Sequence, residues 1–384
     1  MSIKNPAFEL PMSPTNQLLV TAATAKSSEA IAAWSSWSNR QSVAVKAQRE
    51  ERAILPTVAW NLLGHAGEAE IAQATRARQK MATVNLRAVA RLQSVFEVLG
   101  TNEMPTIVLK GGALLSSACY GDLAARRMSD LDVIVPADKA GAAMALLESR
   151  GQVRFESEHV SIRTVLSVMH AAAFQGSLGE VDLHWTLLHH TRSKSADDAL
   201  FATAVAATLG SLQVLVPEPT QLAFHLLAHG RLPDLRWLVD SHHVIEQSVV
   251  DPERLAGIAQ QRLYLRIVAN NARRLALAIP SDKTEALAKA TNALTPRRGD
   301  ELHMEYSALF DRVPRARALG GFATRQLHAR SGVREKAIFL RELSCYASGV
   351  QDVGGALSRL AQYATFNRHR PESPRSVQAK ARLR

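Results

Sequence analysis

Apolar residues recur at helical spacing through the first hundred positions. Ala23 to Ser36, Ser42 to Leu63 and Glu68 to Leu99 are rich in Ala, Leu, Glu, Arg and Gln. Their pattern predicts helices broken near Pro56 and at Gly64-His65-Ala66-Gly67. Val84, Leu86, Val89, Leu92, Val95, Phe96 and Leu99 mark one apolar face, suited to packing on whatever follows. Residues 1–103 therefore read as a helical support or lid, with Thr101 to Pro105 as the junction.

From residue 104 to 217 the period changes. Short apolar runs alternate with helical segments: Thr106 to Leu109 as a strand, small residues from Ala113 to Cys119 as a short helix, and Ser129 to Val135 as a buried strand halted by Pro136. Ala140 to Ser149 follows as a helix, then Glu180 to Trp185 and Leu212 to Val216 as strands. The fold class is α+β, a sheet core between helical flanks. Pro217-Glu-Pro219 opens the second flank, residues 218–365, with helices expected over Gln221 to His229, Leu235 to Gln247, Pro252 to Leu277 and Lys283 to Leu294. No internal repeat of fixed period is present.

The strands of the core carry acids. Alternation of side chains puts Asp130 and Asp132 on one side of their strand, separated by roughly 7 Å of chain, with Leu131 and Val133 on the other. Glu180, Asp182 and His184 share a face by the same parity, opposite Val181, Leu183 and Trp185. If the two strands are neighbours, Asp182 stands near the first pair. Carboxylates grouped in this way suit a hard divalent cation that keeps room for phosphate oxygens. Asp-x-Asp alone is commonly a solvated turn, but the Val-Ile-Val run after it and the glycines before it favour a site. Gly111 and Gly112 lie between strand and helix, where the lack of Cβ atoms and free backbone N–H groups admit a phosphate.

Other residues carry two readings. Lys110 points to phosphate or to solvent; Arg126 and Arg127 grip a triphosphate or neutralise the aspartates as a structural ion pair. His184 serves as a base or second-shell group, or as a structural histidine bonded to a carbonyl. His225 and His229 have i, i+4 spacing with no acid between them, and His189-His190 and His242-His243 have no companion cysteines, so zinc is not expected.

Val108-Leu-Lys-Gly-Gly-Ala-Leu-Leu115, Tyr120-Gly-Asp122, Arg126-Arg-Met-Ser-Asp-Leu-Asp-Val-Ile-Val135 and Val181-Asp-Leu-His-Trp185 together resemble the nucleotidyltransferase superfamily, and within it the bacterial family of uncharacterised nucleotidyltransferases. Ala228-His-Gly230 and Leu235-Arg-Trp-Leu-Val-Asp240 resemble it more weakly. The resemblance implies a nucleotidyltransferase-fold mixed sheet and Mg²⁺ or Mn²⁺ held by Asp130, Asp132 and Asp182. It also implies that Gly111 and Gly112 form the phosphate loop; Lys110, Arg126, Arg127 and Ser129 are the further candidates for phosphate contact. Many members of the superfamily carry a serine after the glycines, where this chain has Ala113.

Composition narrows the setting. Two cysteines in 384 residues argue against a disulfide framework and suit a reducing cytoplasm. No stretch approaches a membrane span. The net charge of +11 is concentrated outside the core, in Arg297, Arg298, Arg312, Arg315, Arg317 and Arg325 and in residues 366–384, a basic tail that reads as disordered. The expected reaction is metal-dependent transfer of a nucleoside monophosphate, by default AMP from ATP, onto an unidentified acceptor with release of pyrophosphate. A small molecule or peptide is the expected acceptor. A toxin-like enzyme acting on tRNA or protein, and a non-catalytic member that only binds nucleotide or nucleic acid, are the competing readings.

Overall fold

A computed structural model of the chain describes residues 12–41, 49–100, 103–128, 130–155, 161–188, 194–230, 234–297, 300 and 333–348. Ser129, His189-His190, the basic positions after Arg297 and the C-terminal tail lie outside them.

Among the described residues seven strands make one mixed sheet: β1 (Ile107–Val108), β2 (Leu131–Ile134), β3 (Val153–Arg154), β4 (Ala171–Gly176), β5 (Gly179–His184), β6 (Val205–Leu209) and β7 (Leu212–Val216). Their order is β3-β4-β5-β2-β1-β7-β6. The pairs β2–β5 and β1–β7 are parallel, and the rest antiparallel. All four β2 residues are buried, as befits a central strand covered on both faces. Val181 and Leu183 on β5 are fully buried, so that strand turns one face to the core.

Helices α1 (Pro14–Thr24), α2 (Ser27–Gln41), α3 (Arg49–Leu62) and α4 (Ala72–Gly100) precede the sheet. The expected break at Pro56 is absent: Pro56 lies inside α3, where Ile54, Leu55, Val58, Ala59 and Leu62 bury a common face. Packing outweighs the lost backbone donor. On α4 the buried stripe is Asn85, Val89, Leu92, Val95 and Leu99. Val84 and Leu86, assigned to that stripe by the pattern, are exposed. Asn85 takes their place because its amide reaches into the loop before β2.

Inside the sheet region, α5 (Lys110–Leu115) follows β1, α6 (Ala140–Ser149) follows β2, and α8 (Lys194–Thr203) precedes β6. Beyond β7 come α9 (Pro219–His229), α10 (Arg236–Gln247), α11 (Pro252–Gln261), α12 (Leu265–Ala278) and α13 (Asp282–Ala293). The segment from Pro252 to Leu277, expected as one helix, is two. It breaks at Leu263, whose φ is +57°, beside the fully buried Arg262. Arg262 donates from Nη1 to Asp197 Oδ1 at 2.8 Å, and turning the chain there lets the guanidinium reach its carboxylate.

Among the described residues these elements belong to one compact unit within 1–155 and 170–329. A second unit, within 156–169 and 330–384, contains α7 (Ile162–Val168) and α14 (Val333–Ser348), joined by a 2.5 Å hydrogen bond from Thr164 Oγ1 to Glu342 Oε2.

Candidate active site

The register of β2 on β5 brings the acids together. Asp132 and Asp182 are Cα partners in a parallel pair, with Leu131 opposite Val181 and Ile134 opposite His184. Residues opposite one another on neighbouring strands point to the same side at a separation of about 4.8 Å. Asp132 is 3% exposed, Asp182 half-buried and His184 2% exposed. One atom from each of the three side chains lies within 4.8 Å of the other two. Asp130 precedes β2 in a bend and does not belong to that group, though its charge is felt by Lys110 and Asp182. Glu180 is exposed at the start of β5.

Lys110 pairs with Asp132 Oδ1 through its Nζ, and the His184 Nε2 lies 3.1 Å from the same oxygen. Burial works to raise the Asp132 pKa, but the His184 hydrogen bond and the Lys110 charge hold it below the ordinary carboxylate range. Burial works to lower that of Lys110, and Asp132 more than reverses it, so the amine stays charged. For Asp182 the balance falls the other way: burial, then the Asp132 charge, pushes its pKa up despite the opposing charges of His184 and Lys110. Among the described residues His184 Nδ1 is buried without a hydrogen-bond partner, and the His170 ring stands edge-on to the His184 ring at 5.3 Å between centroids. Two carboxylates and an imidazole with a free ring nitrogen are a donor set that fits a divalent cation.

The glycine element differs from the turn expected before a helix. α5 begins at Lys110 itself, so Gly111 and Gly112 form its first turn, and the left-handed residue is Lys110, at φ +45°. Both glycines are buried. A Cβ on Gly111 would stand 2.9 Å from Arg126 Nη1 and 3.4 Å from the Met128 Cα, and one on Gly112 would collide with Val108 Cγ1. Their missing side chains are thus used to pack α5 against its neighbours. Ala113 is fully buried.

Arg126, with 13% of its side chain exposed, pairs with Asp240 on α10, Nε to Oδ2 at 2.8 Å. Its Nη1 donates to the Arg127 carbonyl, also at 2.8 Å. Tyr120 Oη donates to the other Asp240 oxygen at 2.9 Å. Asp240 therefore ties the loop before β2 to a helix more than a hundred residues later, a role that sequence reading missed although the motif containing Asp240 was in view. Arg127 is exposed. Asn85 was missed entirely: from α4 its Nδ2 donates at 2.6 Å to the carbonyls of Leu123 and Arg126, and its Oδ1 accepts from Met128 N at 3.0 Å. A single buried amide in an otherwise apolar stripe was the available signal. His225 is buried and His229 exposed, their rings 4.6 Å apart.

The model of the family described as uncharacterised nucleotidyltransferase matches residues 44–279, more than half of the chain. No curated protein matches it. Among solved structures, the antibiotic-resistance factor ANT(2'')-Ia is similar at 12% identity and a TM-score of 0.33, covering 58% of this chain and 98% of that one. No helix among the described residues is long and apolar enough to cross a membrane.

Proposed function

The chain belongs to the uncharacterised nucleotidyltransferase family, and from that premise we propose that it moves a nucleoside monophosphate, by default AMP from ATP, onto a small-molecule or peptide acceptor and releases pyrophosphate. The observation that carries this reading is the pairing of Asp132 with Asp182 across β2 and β5, with His184 and Lys110 converging on Asp132.

In this reading Asp132 and Asp182 would hold Mg²⁺ or Mn²⁺, with Asp130 reaching the cation from the bend before β2 and His184 beside them as a base. A cation bound there polarises the phosphate oxygens and neutralises charge on the departing pyrophosphate. Lys110, whose side chain is 34% exposed, provides a positive charge for the triphosphate. The backbone N–H groups of Gly111 and Gly112 at the start of α5 add uncharged donors. Ser129, Arg126 and Arg127 complete the phosphate contacts; Arg126 does so by fixing the loop through Asp240 as much as by charge. An oxygen of the acceptor attacks the α-phosphorus, forming one P–O bond as the bond to pyrophosphate breaks. The proton of the acceptor passes to His184, the imidazole beside the two carboxylates. The remaining contribution is position: reactants held in line by a rigid central pair of strands. With two cysteines in the chain, we place the reaction in the reducing cytoplasm.

The experiment is incubation with each α-labelled nucleoside triphosphate, Mg²⁺ or Mn²⁺ and a cell extract, followed by separation of metabolite, protein and RNA. Label in the small-molecule or peptide fraction supports the proposal; label in tRNA or protein favours the toxin-like reading; no label under either metal overturns transfer.

A further inference from the structure

Helix α4 carries a row of cations along its outer side. Arg76, Lys80, Arg87 and Arg91 are all exposed. At about 100° per residue they fall within an arc of about 60°, turned away from the buried Asn85, Leu92 and Leu99. From first to last they cover about 22 Å of helix.

The row has no counter-charge. From Ala72 to Phe96 the helix contains neither Asp nor Glu, and among the described residues none of the four cations has an ion-pair partner. Arg78, on the flank of the same helix, does have one: it pairs with Asp122 at 2.6 Å. Like charges four residues apart, as in Arg76 with Lys80 and Arg87 with Arg91, destabilise a helix, and surfaces that need only solubility intersperse both signs. Arg91 is moreover held in place, since a Cβ on Gly179 at the start of β5 would stand 3.0 Å from its Cδ and Nη1.

A straight row of cations complements a regular polyanion. A membrane surface would need a wide apolar face beside the cations, whereas the apolar side of α4 is buried at Val89, Leu92, Val95 and Leu99. Single-stranded nucleic acid would need aromatic rings among the cations for its bases to stack on, and no aromatic residue lies between Arg76 and Arg91. The residue between Lys80 and Arg87 on the same face is Thr83, which is exposed. Its hydroxyl suits a 2′-OH, and duplex RNA is recognised through phosphates and 2′-hydroxyls rather than through bases.

We propose that α4 is a docking surface for double-helical RNA, with Arg76, Lys80, Arg87 and Arg91 on phosphates along the duplex and Thr83 at the ribose edge. The net charge of +11 adds long-range attraction. The proposal does not rest on the transfer reaction, and its test uses neither nucleotide nor metal.

The test is fluorescence anisotropy of the full-length protein with a labelled RNA duplex of about 20 base pairs, repeated over a range of salt. Changing all four cations to Gln is expected to weaken binding about tenfold or more and to lower the salt slope by about three to four. A charge-matched control changes Arg368, Arg370, Arg375 and Arg382 to Gln and is expected to lose markedly less. Thr83→Val should weaken RNA binding and leave the binding of a DNA duplex of the same sequence unchanged. The unfolding midpoint of the fourfold α4 variant should equal or exceed that of the wild type, because repulsion along the helix is relieved. Absence of saturable RNA binding, equal losses in the α4 variant and its control, DNA bound as tightly as RNA, or phosphatidylserine vesicles bound in preference to RNA each overturns the proposal.

Discussion

Asp132 on β2 and Asp182 on β5 are register partners, two carboxylates side by side in one parallel strand pair. Lys110 and His184 both converge on Asp132 Oδ1, whereas at Asp182 their charges are outweighed and the pKa is raised by burial and by its neighbour. Two anions held this close favour any cation that bridges them.

Replacing either with its amide keeps shape and removes charge. Asp132→Asn and Asp182→Asn are each expected to lower single-turnover transfer by about 10²-fold or more, with far-ultraviolet circular dichroism unchanged. Transfer within a fewfold of wild type in both would remove these side chains from the chemistry.

Lys110 combines a left-handed backbone with an ion pair. Lys110→Met strands a nearly buried carboxylate and is expected to cost about 1–3 kcal/mol in urea unfolding. The lower end of that span is expected, because the lysine is partly exposed and its pairing partly screened. Lys110→Gly loses the same pairing but removes the backbone strain, so it should be more stable than Lys110→Met by about 1 kcal/mol. Equal stability of the two would show that the positive φ costs nothing.

Asp240 receives both Arg126 and Tyr120, which orders the expected losses. Asp240→Asn leaves a largely buried guanidinium without its counter-charge and is expected to cost about 3 kcal/mol, the lower end for such pairs because the side chain is 13% exposed. Tyr120→Phe removes one neutral donor and is expected to cost about 1–2 kcal/mol. Denaturant titration of both variants checks the order; a reversed order would contradict a charge-dominated link.

Burial lowers the His243 pKa from 6.5 to about 3, so the folded protein keeps this ring neutral. Below pH 6.5 the unfolded chain takes up a proton that the folded chain refuses. Stability from this site is therefore complete above pH 6.5 and is lost as pH falls toward 3, by at most about 1.4 kcal/mol per pH unit. Denaturant unfolding from pH 7 to 4 should show a shallower slope in His243→Gln than in the wild type. An unchanged slope would mean that His243 is not the refused proton.

The sheet was legible where sequence and burial agree. Val133 to Val135 and Val181 to Leu183 are apolar or alternate strictly, and Asp132 and Asp182 face together as parity required. The strands β4, with Ala171 to Ala173, and β6, with Val205-Ala-Ala-Thr, gave little signal, because alanine has no preference for a pleated surface. Gly111 and Gly112 were read as room for a phosphate; what fills the space of their missing side chains is Arg126, Met128 and Val108, contacts that depend on tertiary packing. Asp240 illustrates the same limit, since its partners lie 114 and 120 positions away and no local pattern reveals them.

Metal-dependent nucleotide binding at the β2–β5 acids is the claim on which the rest stands. Calorimetric titration of ATP into the wild-type protein, with Mg²⁺ and again after chelation, tests it most directly. Saturable uptake that requires Mg²⁺ and disappears in Asp132→Asn is the result expected; uptake that is absent in the wild type, or indifferent to both chelation and Asp132→Asn, would contradict it.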